Sequence, residues 1–252
     1  MKEIFLQESV KIVEKVPIPS DATMLIGLPD VGLVGLIATS YLITELGFQE
    51  IAYVESDLLP PVVVLHNGLP YAPLRIYGNE KVIAVISELA IPANALHTVM
   101  RKLMDWAEAK KVKQMISMGG IPTENRQTIK APEVFGAASN QELLDSVTKK
   151  GLKLMKEGYI VGPQALSMRY AANKKMQSVA LLAQSFYNYP DPQAAATVLK
   201  ELAKVSEVTV DVTKLMEKGE EIRLKARDMM KRTQQEMKRM QKSQEYDMPL
   251  YV

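Results

Sequence analysis

Short apolar runs rich in β-branched residues recur along the first 205 residues, and helical patterns lie between them. The runs "ATMLIGL" (22–28), "PVVVLH" (61–66), "KVIAVISEL" (81–89), "VKQMISMGG" (112–120) and "SVALLAQ" (178–184) suit strands. Their near-continuous hydrophobicity suits a sheet covered on both faces. In "ANALHTVMRKLMDWAEAKK", Leu96, Val99, Met100, Leu103 and Ala107 recur at helix spacing on one face. "NQELLDSVTKKGLKLM" opens on Asn140 as an N-cap with Glu142 in the first turn. "DPQAAATVLKELAKV" places Pro192 just inside a first turn, where proline is favoured. The alternation predicts an α/β fold, a mostly parallel sheet flanked by helices. No internal repeat or low-complexity linker interrupts 1–205.

The pattern changes at Thr213. "TKLMEKGEEIRLKARDMMKRTQQEMKRMQKSQ" is long, proline-free and charge-dense, with Gly219 its weak point. Ile222, Ala226, Met229, Thr233, Met237 and Met240 form an apolar stripe at spacings of three and four. Three readings fit this stripe: a surface helix lying on the domain, a helix–helix contact in an oligomer, or a projecting arm. Basic residues exceed acidic ones only modestly and the signs are mixed, as on a solvated face. The expected organisation is a core at 1–212, a charged helical extension at 213–244 and a tail at 245–252.

Composition then excludes several classes. A net charge of +2 gives no bulk attraction to nucleic acid or a membrane surface. The absence of cysteine rules out a disulfide scaffold, thiolate chemistry and the usual structural zinc ligands. "MKEIFLQESVKIVEK" is charged throughout, unlike a signal segment, and no apolar run approaches the roughly 20 residues that span a bilayer. A reduced cytoplasm is the expected address.

Candidate chemistry is sparse. "GLPDVGLVG" follows the first strand like a phosphate loop, but Gly27, Gly32 and Gly35 have the wrong spacing, and Leu33 stands where a P-loop needs lysine. A tight strand-to-helix turn with close packing explains these glycines, with Asp30 as a cap. Gly119 and Gly120 mark a second strand end, the kind of place where open α/β sheets bind ligands. His66 and His97 lie in different elements, with no carboxylate or cysteine at ligand spacing. Glu88 ends a strand, but acid–base chemistry needs a partner and a pocket. No catalytic residue, metal ligand or cofactor is expected.

Several stretches together resemble the proteasome assembly chaperone 2 family in its archaeal form. They are "GLPDVGLVG", "ISELAIP", "LMDWAEAKKV" and "SMGGIPTENR", then "VFGAASNQELLD", "KEGYIVGPQAL" and "SVALLAQSFYNYPDPQAAATVLKEL". The resemblance runs over most of 20–205 in order. "SMRYAANKKMQ" (167–177) departs from it, being more charged than the family's usual small apolar segment.

The resemblance implies a fold related to purine nucleoside phosphorylases without their active site. It implies a non-enzymatic, ATP-independent homo-oligomer that binds 20S proteasome α-subunits as an assembly chaperone or activator. It also implies a C-terminal motif of a hydrophobic residue, tyrosine and any residue, here Leu250, Tyr251 and Val252, which docks between α-subunits. A terminal peptide of this kind offers an apolar side chain, a ring with a hydroxyl and a carboxylate within one short reach. Pro249 restricts Met248 to extended conformations and stiffens the approach. Two other readings remain open. One is an enzyme of the nucleoside-phosphorylase type using the Gly119 and Glu88 region, and the other a scaffold whose tail latches onto its own core.

Overall fold

The structure is a computed structural model that describes residues 9–228 and residue 231. Leu250, Tyr251 and Val252 lie outside these residues, as do Met229, Thr233, Met237 and Met240 of the stripe.

In chain order, strands β1 (Lys11–Glu14) and β2 (Thr23–Gly27) precede helix α1 (Val34–Glu45) and strand β3 (Gln49–Glu55). A hairpin of β4 (Val64–His66) and β5 (Leu69–Tyr71) comes next, then β6 (Leu74–Gly78), β7 (Val82–Ser87) and α2 (Ala93–Ala109). Strands β8 (Gln114–Pro122) and β9 (Val134–Ala138) lead to α3 (Gln141–Lys149), β10 (Lys153–Leu154) and α4 (Gly162–Lys174). Strand β11 (Ser178–Ser185) and helices α5 (Pro192–Val205) and α6 (Thr213–Glu217) follow.

Among the described residues, nine strands form one sheet in the order β1-β3-β6-β7-β2-β8-β11-β9-β10. Strands β7, β2, β8 and β11 are parallel at its centre. Antiparallel strands β6, β3 and β1 extend one side, and β9 joins β11 antiparallel on the other. The sheet is therefore mixed around a parallel middle. The reason is local: β6 and β7 are joined by a short turn in which Asn79 Oδ1 accepts from the amides of Lys81 and Val82, both at 2.9 Å. A turn that short permits only antiparallel pairing, whereas parallel neighbours need a crossover helix.

Both faces of the sheet are covered, as the apolar runs predict. Successive residues of β2 alternate between layers: Met24 and Ile26 pack against α2 and α4, and Leu25 against α1 and α5. On α2, Val99, Met100, Leu103 and Ala107 are buried and Leu96 is half-buried, so the predicted stripe is the core face. Asn140 Oδ1 accepts from Leu143 N at 2.9 Å, and Asp191 Oδ1 from Ala194 N at 3.0 Å, capping α3 and α5.

The run 61–66 is the exception. Only Val64–His66 is extended, and it pairs with β5 in a separate two-stranded hairpin rather than in the main sheet. Val63 and Leu65 are more than half exposed, so these apolar residues lie on an arm, not in the core.

The chain beyond Val212 folds back on the domain. Leu215 of α6 is fully buried in the layer formed by α1 and α5. Tyr41 donates to Asp211 O at 2.7 Å, and Lys214 pairs with Glu45 at 2.9 Å. The helix breaks at Lys218, next to Gly219, and resumes over 219–228. There Ile222 and Ala226 are half-buried against the same layer. Leu215→Ala should destabilise the protein by about 2–5 kcal/mol, the usual cost of truncating a buried leucine. Urea unfolding of the variant checks this. No helix among the described residues is long and apolar enough to cross a membrane.

Candidate functional site

In an open α/β sheet, ligands bind where the strand order reverses, beyond the carboxyl ends of the strands. Here that point lies between β2 and β8, and the chain fills it with its own side chains. Asp30 Oδ2 accepts from Gly120 N at 2.7 Å and from Gln164 Nε2 at 3.1 Å, while Oδ1 accepts from Gly35 N at 3.3 Å. Asp30 thus reaches the second residue of α1 as a cap would, and also ties in β8 and α4. Burial pushes its carboxyl up to about 8, against the three donors, which pull the other way.

The glycines make this plug possible. A Cβ on Gly119 would overlap the Asp30 carboxylate, and one on Gly35 would overlap the Met118 carbonyl of β8. Gly32 has φ +65°, a left-handed turn, and lies against Ser185 at the end of β11. Close packing is therefore what this loop achieves. The Gly119–Gly120 strand end holds protein rather than open space.

A second polar cluster sits on the other side of the sheet's middle. Arg75 of β6 is 4% exposed and pairs with Glu88, which follows β7. His66 Nε2, carried in by the hairpin, lies 3.0 Å from Arg75 Nη2 and 3.1 Å from Glu88 Oε1. The guanidinium is flanked by the rings of Tyr71 at 5.2 Å and Tyr77 at 5.5 Å. Partial burial, then the charge of Arg75, holds His66 below the ordinary histidine pKa, which favours a neutral ring. Glu88 and His66 are therefore partners, contrary to the reading of each as isolated. Three separate segments supply the cluster, so no spacing in the sequence could reveal it. Glu88 faces a guanidinium, which makes it a charge partner rather than a free base. His97, by contrast, is exposed on α2 and lies 3.3 Å from the Tyr170 hydroxyl through Nδ1.

Sequence reasoning also missed Arg126. Its Nε lies 2.8 Å from Asp191 Oδ2, its Nη1 donates to Ile129 O at 2.7 Å, and both residues are buried. Its guanidinium stacks 5.1 Å from Phe186. This pair anchors the start of α5 and offers nothing to solvent. Among the described residues no group of three or more His, Asp or Glu side chains is placed to hold a metal ion.

A model of the PAC2 family matches residues 24–230. An uncharacterized protein of Methanocaldococcus jannaschii is 28% identical over 246 residues, 97% of this chain and 99% of its own length. The fold is similar to Pyrococcus furiosus PbaA, described as an archaeal homolog of proteasome-assembly chaperone. That likeness has a TM-score of 0.83 and 28% identity over 90% of this chain and 99% of the other. Pyrococcus furiosus PbaB, described as an archaeal proteasome activator, shares the fold at TM-score 0.73 and 23% identity, over 89% of this chain and all of the other.

Proposed function

This chain belongs to the PAC2 family, and on that premise we propose that it is a non-enzymatic, ATP-independent binding partner of the 20S proteasome, acting as an assembly chaperone or activator. The likeness to PbaA over nearly the whole of both chains carries this reading. The plugged switch point supports it too, since the usual ligand crevice of such a sheet is occupied by Asp30 and Gln164. In this reading 1–212 is the body, 213–244 an extension whose first part packs back on the body through Leu215, Ile222 and Ala226, and 245–252 the tail that inserts Leu250, Tyr251 and Val252 between α-subunits. One plug is weak, because a few ordered residues must overcome their own entropy. Several plugs on one homo-oligomer raise avidity by about 10²–10⁴-fold through effective concentration.

The test is capture of purified 20S α-rings by the full-length protein, alongside the mass of the free oligomer by sedimentation at micromolar concentration. Capture and a mass above that of a monomer are expected. A monomer would remove the avidity argument, and absence of capture would remove the proteasome reading. One observation favours a latched tail as second reading: helix 219–228 lies back against the core through Ile222 and Ala226. Limited proteolysis separates the two, since a free tail is trimmed first and a latched one resists.

A further inference from the structure

From Leu58 to Leu74 the chain carries no Asp, Glu, Lys or Arg, although 24% of all its residues are charged. Within this stretch the β4–β5 hairpin stands apart from the main sheet. Its two-residue turn is Asn67 and Gly68, both at positive φ, the geometry of a tight hairpin. In the register Leu65↔Pro70 and His66↔Leu69, the pleat gives the hairpin two faces. One carries Val64 and Tyr71, which are half-buried, and His66, which meets Arg75 and Glu88. The other carries Val63, Leu65 and Pro70, all exposed.

Val63, Leu65 and Leu69 are each at least 60% exposed, and Pro61 and Pro70 are exposed beside them. Single exposed apolar side chains are ordinary on a protein surface, but a group of large ones on one projecting element marks a contact. The shape of this group is set in advance. The tight turn and the bracing of His66 hold the hairpin in one form, so little ordering remains to be lost on contact. Its composition tells what kind of contact it makes. Transient partners are matched by charge, and their interfaces are about as polar as the rest of the surface. Permanent interfaces between copies are more apolar and poor in charge. An uncharged arm has nothing with which to steer a charged partner, and it meets another copy of itself with no like-charge repulsion. An added peptide strand would find few donors here, because Pro60, Pro61, Pro70 and Pro73 have no N–H.

We propose that the β4–β5 arm holds a second copy of this chain, with Val63, Leu65, Leu69 and Pro70 covered by the neighbouring subunit. The contact gives the homo-oligomer of the proposed function a physical basis, since it buries side chains that would otherwise make the free chain prone to aggregate. The inference rests on that homo-oligomer and not on the proteasome as its partner.

The experiment is sedimentation velocity of the full-length protein at micromolar concentration, unmodified and as Val63→Asp with Leu65→Asp. The unmodified chain should sediment as an oligomer. The variant brings like charges into the contact, so its association should weaken at least about 100-fold while its far-UV circular dichroism stays unchanged. Because the chain has no cysteine, a single introduced thiol reports on the same surface without adding a charge. In the oligomer, Leu65→Cys should react with a maleimide at least about tenfold more slowly than Tyr159→Cys, at a position 93% exposed on the loop before α4. If the aspartate variant fails to fold, this labelling decides alone. An unmodified monomer would remove the homo-oligomer reading and this inference together. If that monomer floats with phosphatidylcholine vesicles, the arm belongs to a lipid surface instead. An unmodified oligomer whose aspartate variant keeps its mass would overturn the role of the arm alone. So would equal labelling of the two thiols, which leaves the arm free for a different protein.

Discussion

A protein extended by one glycine after Val252 should lose its grip on 20S α-rings while keeping its melting temperature and its oligomer mass. The added residue moves the terminal carboxylate roughly 3.5 Å along an extended chain and leaves every side chain in place. A pocket that captures a carboxylate together with a ring set back from it cannot accept that displacement. Because avidity multiplies the effect over several tails, apparent affinity should fall at least about 100-fold. Tyr251→Ala should act similarly by removing the ring and its hydroxyl, whereas Val252→Ala should cost little at the unconstrained position of the motif. Surface plasmon resonance on immobilised α-rings measures all three. Wild-type binding by the extended protein would defeat the docking proposal. A melting temperature several degrees lower would instead indicate a tail latched on its own core.

The second large effect lies inside the body. Gly35→Ala should destabilise the protein by roughly 3 kcal/mol, at the upper end of the cost of overpacking a core. The clash is with the backbone carbonyl of Met118 in a central strand, which no side-chain rotation relieves. Helix α1 would have to lift from the sheet, loosening Leu36, Ile37 and Leu42. For a chain of this size the loss corresponds to roughly 6–12 °C in melting temperature. Gly219→Ala is the control. A Cβ there meets only Pro192 Cβ at 3.9 Å, and alanine in a helical position should be neutral or stabilising by up to about 1 kcal/mol. Equal melting of the two variants would show that the close approach of α1 to β8 does not constrain the fold.

The sheet, its two covered faces, the cap at Asn140 and Pro192 in the first turn of α5 were legible because each depends on local chemistry: an apolar run, a side-chain oxygen, a proline at the first turn. Gly27, Gly32 and Gly35 were readable as packing glycines because their spacing fits no phosphate loop. The arm at 64–71 was misread because "PVVVLH" has the composition of a buried strand, and only the register with Leu69–Tyr71 places it outside the sheet. The flanking antiparallel strands β1, β3 and β9 escaped notice for a related reason. "KIVE" and "QEIAYVE" are only partly apolar, as suits strands nearer the margins of the sheet, and "VFGAA" is short, with two alanines and a glycine that carry little strand signal. The Arg75–Glu88–His66 cluster and the Arg126–Asp191 pair join residues 9 to 65 positions apart, so their meeting is a property of topology rather than of spacing.

The sheet's margins bear on how copies of this chain can meet. One edge strand, β10, has two residues, Lys153 and Leu154; the other, β1, has four and begins and ends on the charged Lys11 and Glu14. Short, charged borders give a neighbouring backbone almost no ladder to extend. Lateral growth of the main sheet from molecule to molecule, the route by which strand-rich proteins turn into fibrils, is therefore blocked at both ends. Among the described residues, contacts between copies at the main sheet are thus left to side chains rather than to an extended backbone ladder.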